Sequence, residues 1–382
     1  MRDVSVIGTS QLPVKKRCER SIRTLGADVV RAALNDAGLE RVDALYVSNM
    51  LSDELQSQKH VAALVADEAG LAGVEALQVR AATASGAAAL RVAYMAVSSG
   101  LVETAVVVGV EKMSDLIPTP ALAKALDAER EAPDGATLIS QNALAMRLYM
   151  ERYNVSADAF THFAVNAHRN ARQNPNAIFR EKAVTADMVR ASRPIVPPIR
   201  LYDCAPICDG AAAVVLAPTA RATQFSDTPV RILAATGATD RFRLSDRSDP
   251  LQLQASHLSA AQAFQEADIE RSAVDFFELH DAFSIMSCLQ LEAVGFATPG
   301  CGWQLAEEGA IALNGRIPIA TMGGLKARGH PIGATAVYQT CEIVQQLTGR
   351  AGPNQLTDPH IAMLQSIGGA ATTVFTFLFG GA

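Results

Sequence analysis

The stretch that decides the reading is Gly323-Gly324-Leu325-Lys326-Ala327-Arg328-Gly329-His330-Pro331-Ile332-Gly333-Ala334-Thr335. The apolar run Pro318–Met322 before it predicts a strand, and the segment after it predicts a helix. Gly323, Gly324 and Gly329 let backbone and ligand approach closely. Pro331 suits the first turn of a helix, and amides at such a turn make an electropositive pocket. His330 stands at the mouth of that pocket, where a base or a hydrogen-bond donor is useful. Taken alone, the stretch is better explained as a structural glycine turn with a capping histidine.

Three further segments carry chemistry. Glu278-Leu279-His280-Asp281-Ala282-Phe283 lies at the end of an expected strand, where open α/β sheets place their ligands. His280 there can position a water or a carbonyl oxygen, or be a satisfied histidine at a strand end. Ala82-Thr83-Ala84-Ser85-Gly86 opens an apolar helix, so Thr83 feels the positive end of its dipole. Threonine is also a good N-cap. Ser366-Ile367-Gly368-Gly369 joins two apolar runs, and the Gly368 amide can face an oxyanion or simply belong to a tight turn.

Working outward, strand-like and helix-like segments alternate: strands at 4–8, 44–47 and 105–110, helices at 21–34 and 86–97. This order predicts an α/β fold with helices on a mostly parallel sheet. Residues 113–200 hold most charge clusters and two expected helices, 141–153 and 157–173, and read as an inserted lid. Strands follow at 211–216, 230–233, 276–279, 361–364 and 373–378. The halves look alike: Asp209–Leu216 resembles Gly368–Phe375, and a glycine-containing turn opens a buried helix in each. The expected boundaries are 1–225 for the first half, lid included, and 226–382 for the second.

Bulk numbers set the frame. At roughly 150 residues per domain, 382 residues make two or three domains, and 49% apolar with 19% charged residues makes a large core. A net charge of −6 argues against nucleic acid and anionic membrane surfaces as partners. No apolar run is long enough to span a bilayer. The six cysteines form no zinc-type spacing and no disulfide framework, which reads as cytosolic. Cys204 and Cys208 stand in apolar context and read as core residues.

Taken together, the four segments resemble the thiolase superfamily, in its archaeal and sterol-carrier-type branch, over essentially the whole chain. Asp203–Gly210 and Asn166-Ala167-His168 join in the likeness. The resemblance implies a thiolase fold, with two similar α/β halves in a five-layered αβαβα core and an inserted loop domain. It implies coenzyme A as substrate and product with no permanent cofactor, no metal, and a homodimer or tetramer. In this branch it also implies a small zinc-ribbon/OB-fold partner. His330 matches the histidine that activates the nucleophile, and His280 the position that holds a water beside the thioester oxygen. The amides of Thr83 and Gly368 match the second oxyanion hole, and Gly323, Gly324 and Gly329 the thioester pocket.

The sequence departs from that pattern where it matters. Thr83 stands where thiolases carry the nucleophilic cysteine, and Ser366 where many carry the second, acid/base cysteine. A thiol is partly ionised near neutral pH, whereas a hydroxyl needs a base during attack. Four readings follow: an acyl-CoA C–C bond enzyme of altered chemistry, including retro-aldol cleavage of a β-hydroxyacyl-CoA; a non-catalytic CoA-binding scaffold; Thr83 as a true acyl acceptor; or a cysteine deliberately replaced. The intact histidines and glycines favour an acyltransferase-type enzyme.

Overall fold

The computed structural model describes residues 1–381. One mixed sheet organises it, with five antiparallel and three parallel pairings rather than the mostly parallel sheet the element order predicts. Its strands are β1 (Val4–Gln11), β2 (Ala44–Ser48), β3 (Glu75–Val79), β4 (Ala105–Lys112), β7 (Asp209–Pro218), β8 (Val230–Thr239), β9 (Phe276–Glu278), β10 (Ile361–Gly368) and β11 (Thr373–Gly380). A separate hairpin pairs β5 (Pro194–Val196) with β6 (Ile199–Arg200). Helices of eight residues or more are α1 (Ile22–Asp36), α2 (Val61–Glu68), α3 (Ser85–Ser99), α4 (Leu138–Tyr153), α5 (Thr161–Ala171), α6 (Gln254–Ala267), α7 (Ser284–Val294) and α8 (Thr335–Leu347).

The strand order is β3-β2-β4-β7-β1-β8-β11-β10-β9; outward from the junction of β1 and β8 the first four strands on each side match in direction, and β3 adds a fifth on the first side. β1–β7 and β7–β4 are antiparallel and β4–β2 parallel; β8–β11 and β11–β10 are antiparallel and β10–β9 parallel. The halves join where β1 meets β8, Val4 opposite Ile232. β4 and β7 are buried along their whole length, which is why Val106–Val108 and Ala211–Leu216 are continuous apolar runs without polar alternation.

Helices cover the sheet for reasons written in their faces. α1 begins at Ser21, whose Oγ accepts from the Thr24 amide at 3.2 Å, and buries Ile22, Leu25, Val29 and Ala33. α3 is apolar nearly all round because it is enclosed, and it ends at Gly100 in the left-handed conformation, φ 85°. α3 and α8 pack on each other and reach strands of both halves, while α1 covers the outer side of the first half and α6 that of the second. The starts of α3 and α8 nearly touch: a Cβ on Gly86 would lie 2.8 Å from the Gly333 carbonyl oxygen.

One expected strand is absent. Pro318–Met322 makes a single bridge, Ile319 to Phe277, and no ladder. Side chains take its backbone groups instead. Asn166 and Asn170 donate to the carbonyls of Ile319 and Ala320, Asn174 to Met322, Asn354 to Thr321, and Glu278 accepts from the Thr321 amide. Ala320 is left-handed, φ 48°, which a regular ladder does not accommodate.

Candidate active site

Thr83 lies on the turn that leads into α3. Ser85 braces this turn: its Oγ accepts from the Ala81 amide (2.9 Å) and donates to the Ala82 carbonyl (2.6 Å). Ala82 is held at φ 50°, a conformation costing a non-glycine residue roughly 1 kcal/mol or more. Thr83 is not the N-cap; that position is Ala84. The Thr83 hydroxyl donates to the Ile367 carbonyl oxygen at 2.6 Å. Gly368 makes this meeting possible, since a Cβ there would lie 2.6 Å from the Ala81 carbonyl oxygen.

His330 arrives from the other half. The glycine stretch is a fully buried single π-helical turn, Gly324–Arg328, and the α-helix starts only at Thr335, after a short 3-10 turn at Ile332–Ala334. Pro331 therefore precedes the helix rather than occupying its first turn. The amides of Leu325 and Lys326 are turned to the Asp281 carboxylate, at 2.6 and 3.5 Å, so they form no open anion pocket. Gly323, Gly324 and Gly329 pack against Ala171, Asp281 and Val14 respectively, each at positive φ. The His330 amide donates to Cys208 Sγ at 3.2 Å, and its Nδ1 meets Thr335 Oγ1 at 2.7 Å. That contact leaves Nε2 as the ring nitrogen without a hydrogen-bond partner.

His280 is set by its backbone. Gln290 of α7 grips both sides of the peptide: its Oε1 accepts from the His280 amide (3.1 Å) and its Nε2 donates to the His280 carbonyl (2.9 Å). Its ring meets that of His330 edge to face, centroids 5.1 Å apart and planes at 88°. His280 is 3% exposed, and its Nδ1 has no hydrogen-bond partner. Burial lowers both imidazoles: His280 to about 4, and His330 well below 6.5, the latter pushed further by His280 and Arg328. Two neutral rings side by side can offer one N–H to a carbonyl oxygen and one lone pair to a proton.

Thr83, His280 and His330 line one cavity of about 120 Å³. It is smaller than the ~300–1,000 Å³ of sites that enclose a whole drug-sized ligand, so it suits the reacting end of a longer molecule. Its remaining wall is mostly apolar. Met113, Leu122, Leu138 and Ile139 come from the segment after β4, and Phe283 and Met286 from the start of α7. Asn142 adds a polar spot: its Nδ2 donates to the Leu138 carbonyl, and its Oδ1 has no partner.

The other expected site residues fall elsewhere. Ser366 is fully buried, its Oγ has no hydrogen-bond partner, and it is not among the lining residues; its neighbour Ile367 is. Gly368 is a contact surface for the Thr83 turn, with Gly369 and Ala370 reaching the cavity. Gly323, Gly324 and Gly329 do not line it.

Two contributors escaped the sequence reading. Cys204, expected in the core with Cys208, lines the cavity and is partly exposed, whereas Cys208 is buried. Glu111, fully buried, accepts from the amides of Met50, Leu51 and Gly333 and from Asn49 Nδ2, at 2.8–3.1 Å. It ties the turn after His330 to the first half. Burial raises its carboxyl to about 7, against the pull of those amides. A lone carboxylate in the apolar run Ala105–Lys112 was the available signal.

These observations agree with comparisons to known proteins. The chain is 41% identical over 382 residues to an acetyl-CoA acetyltransferase of Methanothermobacter thermautotrophicus, covering 99% of this chain and 100% of that one. It is 27% identical over 401 residues to sterol carrier protein 2 of Homo sapiens, covering 100% of this chain and 72% of the relative. A solved structure described as Ltp2-ChsH2(DUF35) aldolase superposes with a TM-score of 0.87 at 25% identity, covering 99% of this chain and 97% of that one. Residues 4–220 match the family model for the thiolase N-terminal domain and residues 236–381 the model for a thiolase C-terminal domain-like region, and the chain belongs to the thiolase family.

Proposed function

We propose that the protein is an acyl-CoA enzyme of the thiolase type that makes or breaks a carbon–carbon bond beside a CoA thioester. The carrying observation is the pair of buried histidines, edge to face, on an apolar cavity sized for an acyl end. In this reading His330 Nε2 and the His280 ring polarise the thioester oxygen and stabilise the enolate that forms when the bond breaks. Thr83 contributes its backbone and shape, because its hydroxyl is committed to Ile367. The segment 113–200 selects the acyl group, and the boundary between halves falls near 225–226. Coenzyme A is substrate and product, with nothing bound permanently.

That hydroxyl commitment also favours a second reading, retro-aldol cleavage of a β-hydroxyacyl-CoA, which needs no acyl-enzyme. The likeness to an aldolase chain named with a DUF35 partner supports it, and with it assembly with a small partner of that kind. A homodimer or tetramer is the expected assembly. Calorimetry with coenzyme A tests the substrate class directly: micromolar to millimolar binding is expected, and no binding, alone or with such a partner, removes both readings.

A further inference from the structure

We propose that Cys204 is the acyl-accepting thiol of this cavity, a role that rests on the acyl-CoA reading above. Cys204 lines the same cavity as Thr83, His280 and His330. Cys18, Cys208, Cys288 and Cys341 are buried, and no cysteine is paired. The backbone fixes its place: the Ala205 amide donates to the Ala282 carbonyl at 2.9 Å, and Cys204 bridges to Phe283. The thiol is thereby pinned to the loop that carries His280. Its thiol donates one hydrogen bond, to the Arg200 carbonyl at 3.6 Å, weaker than the 2.6 Å bond that holds the Thr83 hydroxyl on Ile367.

A second observation concerns the histidine that shares the cavity with Cys204. His280 is 3% exposed and lines the same cavity, yet its Nδ1 has no partner. Buried polar atoms without partners are few in native proteins, and a catalytic role is one recognised reason for them. Meanwhile the residue at the usual nucleophile position is disarmed, its proton held on Ile367.

The step is a transthioesterification and needs no oxidant or reductant. The Cys204 sulfur bonds to the thioester carbonyl carbon, and the bond from that carbon to the CoA sulfur breaks. The Cys204 proton passes to a neutral imidazole and then to the departing CoA sulfur, giving acyl-Cys204 and free CoA thiol. Burial, with Asp203 nearby, pushes the Cys204 thiol up to about 12, against the pull of Lys326. Little thiolate therefore stands at rest, and the proton must leave as the sulfur bonds to carbon; the His280 and His330 rings line the same cavity and, held as weak bases by burial, can take it only in that concerted step.

The test is incubation of the full-length protein with acetyl-CoA, an acid quench and peptide mass spectrometry, beside calorimetry with coenzyme A. One acetyl group on the Cys204 peptide is the expected result. It falls more than tenfold in Cys204→Ser and persists in Cys301→Ser, a partly exposed cysteine outside the cavity. Acetyl on Thr83 or on another cysteine overturns the proposal. So does no acetyl on a protein that binds coenzyme A, an outcome that leaves the acyl-CoA reading standing. Absence of coenzyme A binding removes that reading and this proposal together. Should Cys204→Ser not fold, the site mapped in the unaltered protein decides.

Discussion

The Thr83 hydroxyl gives its proton to the Ile367 carbonyl oxygen at 2.6 Å, not to a histidine. The contact joins the turn before α3 in one half to the end of β10 in the other. It makes residue 83 part of the scaffold between halves. Thr83→Ala is expected to lower stability by about 1 kcal/mol, the worth of one buried hydrogen bond, read as the shift in a urea unfolding midpoint. Thr83→Cys places a thiol at a helix start, where its pKa falls, and is expected to raise thiolysis of acetoacetyl-CoA at least tenfold.

Thr335 fixes how His330 is used. With Nδ1 occupied by the Thr335 hydroxyl at 2.7 Å, only Nε2 faces chemistry. Thr335→Val frees Nδ1 and mixes the tautomers. Turnover is expected to fall about tenfold, as when a group orienting a working histidine is lost, with coenzyme A binding unchanged. Thr335→Ser restores it. Steady-state rates beside calorimetry separate the two quantities.

The two histidines give a pH signature. Burial lowers His280 to about 4 and His330 well below its ordinary 6.5. Both rings bind a proton more weakly folded than unfolded. Their contribution to stability is therefore complete above about 6.5 and is lost as pH falls toward 4. The acid limb of kcat/KM is likewise expected near pH 4 or below, with no step between 6 and 7. A pH–rate profile with a midpoint near 6.5 contradicts neutral, buried imidazoles.

Gly368 tests the joint between halves. Its Cβ would fall 2.6 Å from the Ala81 carbonyl oxygen and 3.3 Å from Ala84 Cβ, so backbone must move to admit a methyl. Gly368→Ala is expected to cost about 1–3 kcal/mol and to displace the Thr83 turn. Unfolding midpoint and turnover should fall together.

Much of this was legible in the chain. The helices expected at 21–34 and 86–97 match α1 and α3 to within about two residues at each end. The repeat of Asp209–Leu216 in Gly368–Phe375 foreshadowed strands β7 and β11, which hold equivalent places on either side of the centre. His280 and His330 were found because short motifs surround them, and they do share a cavity. The failures have physical causes. Pro318–Met322 has strand composition, but asparagines from α5 and beyond, more than a hundred residues away in sequence, take its carbonyls. Gly323, Gly324 and Gly329 looked like a ligand cradle because close approach requires glycine whatever approaches; here it is Ala171, Asp281 and Val14. Cys204 reads like Cys208 in sequence, yet only its backbone bridge to Phe283 turns it to the cavity.

The central claim is that the His280–His330 pair works on an acyl-CoA thioester. Its most direct test is release of acetyl-CoA from acetoacetyl-CoA with and without free coenzyme A, in the unaltered protein and in His330→Ala. Release that falls about 10²–10⁴-fold in the variant is the expected result, the usual worth of a positioned acid or base. Release at an equal rate in both proteins contradicts the assignment of this cavity as the site of chemistry.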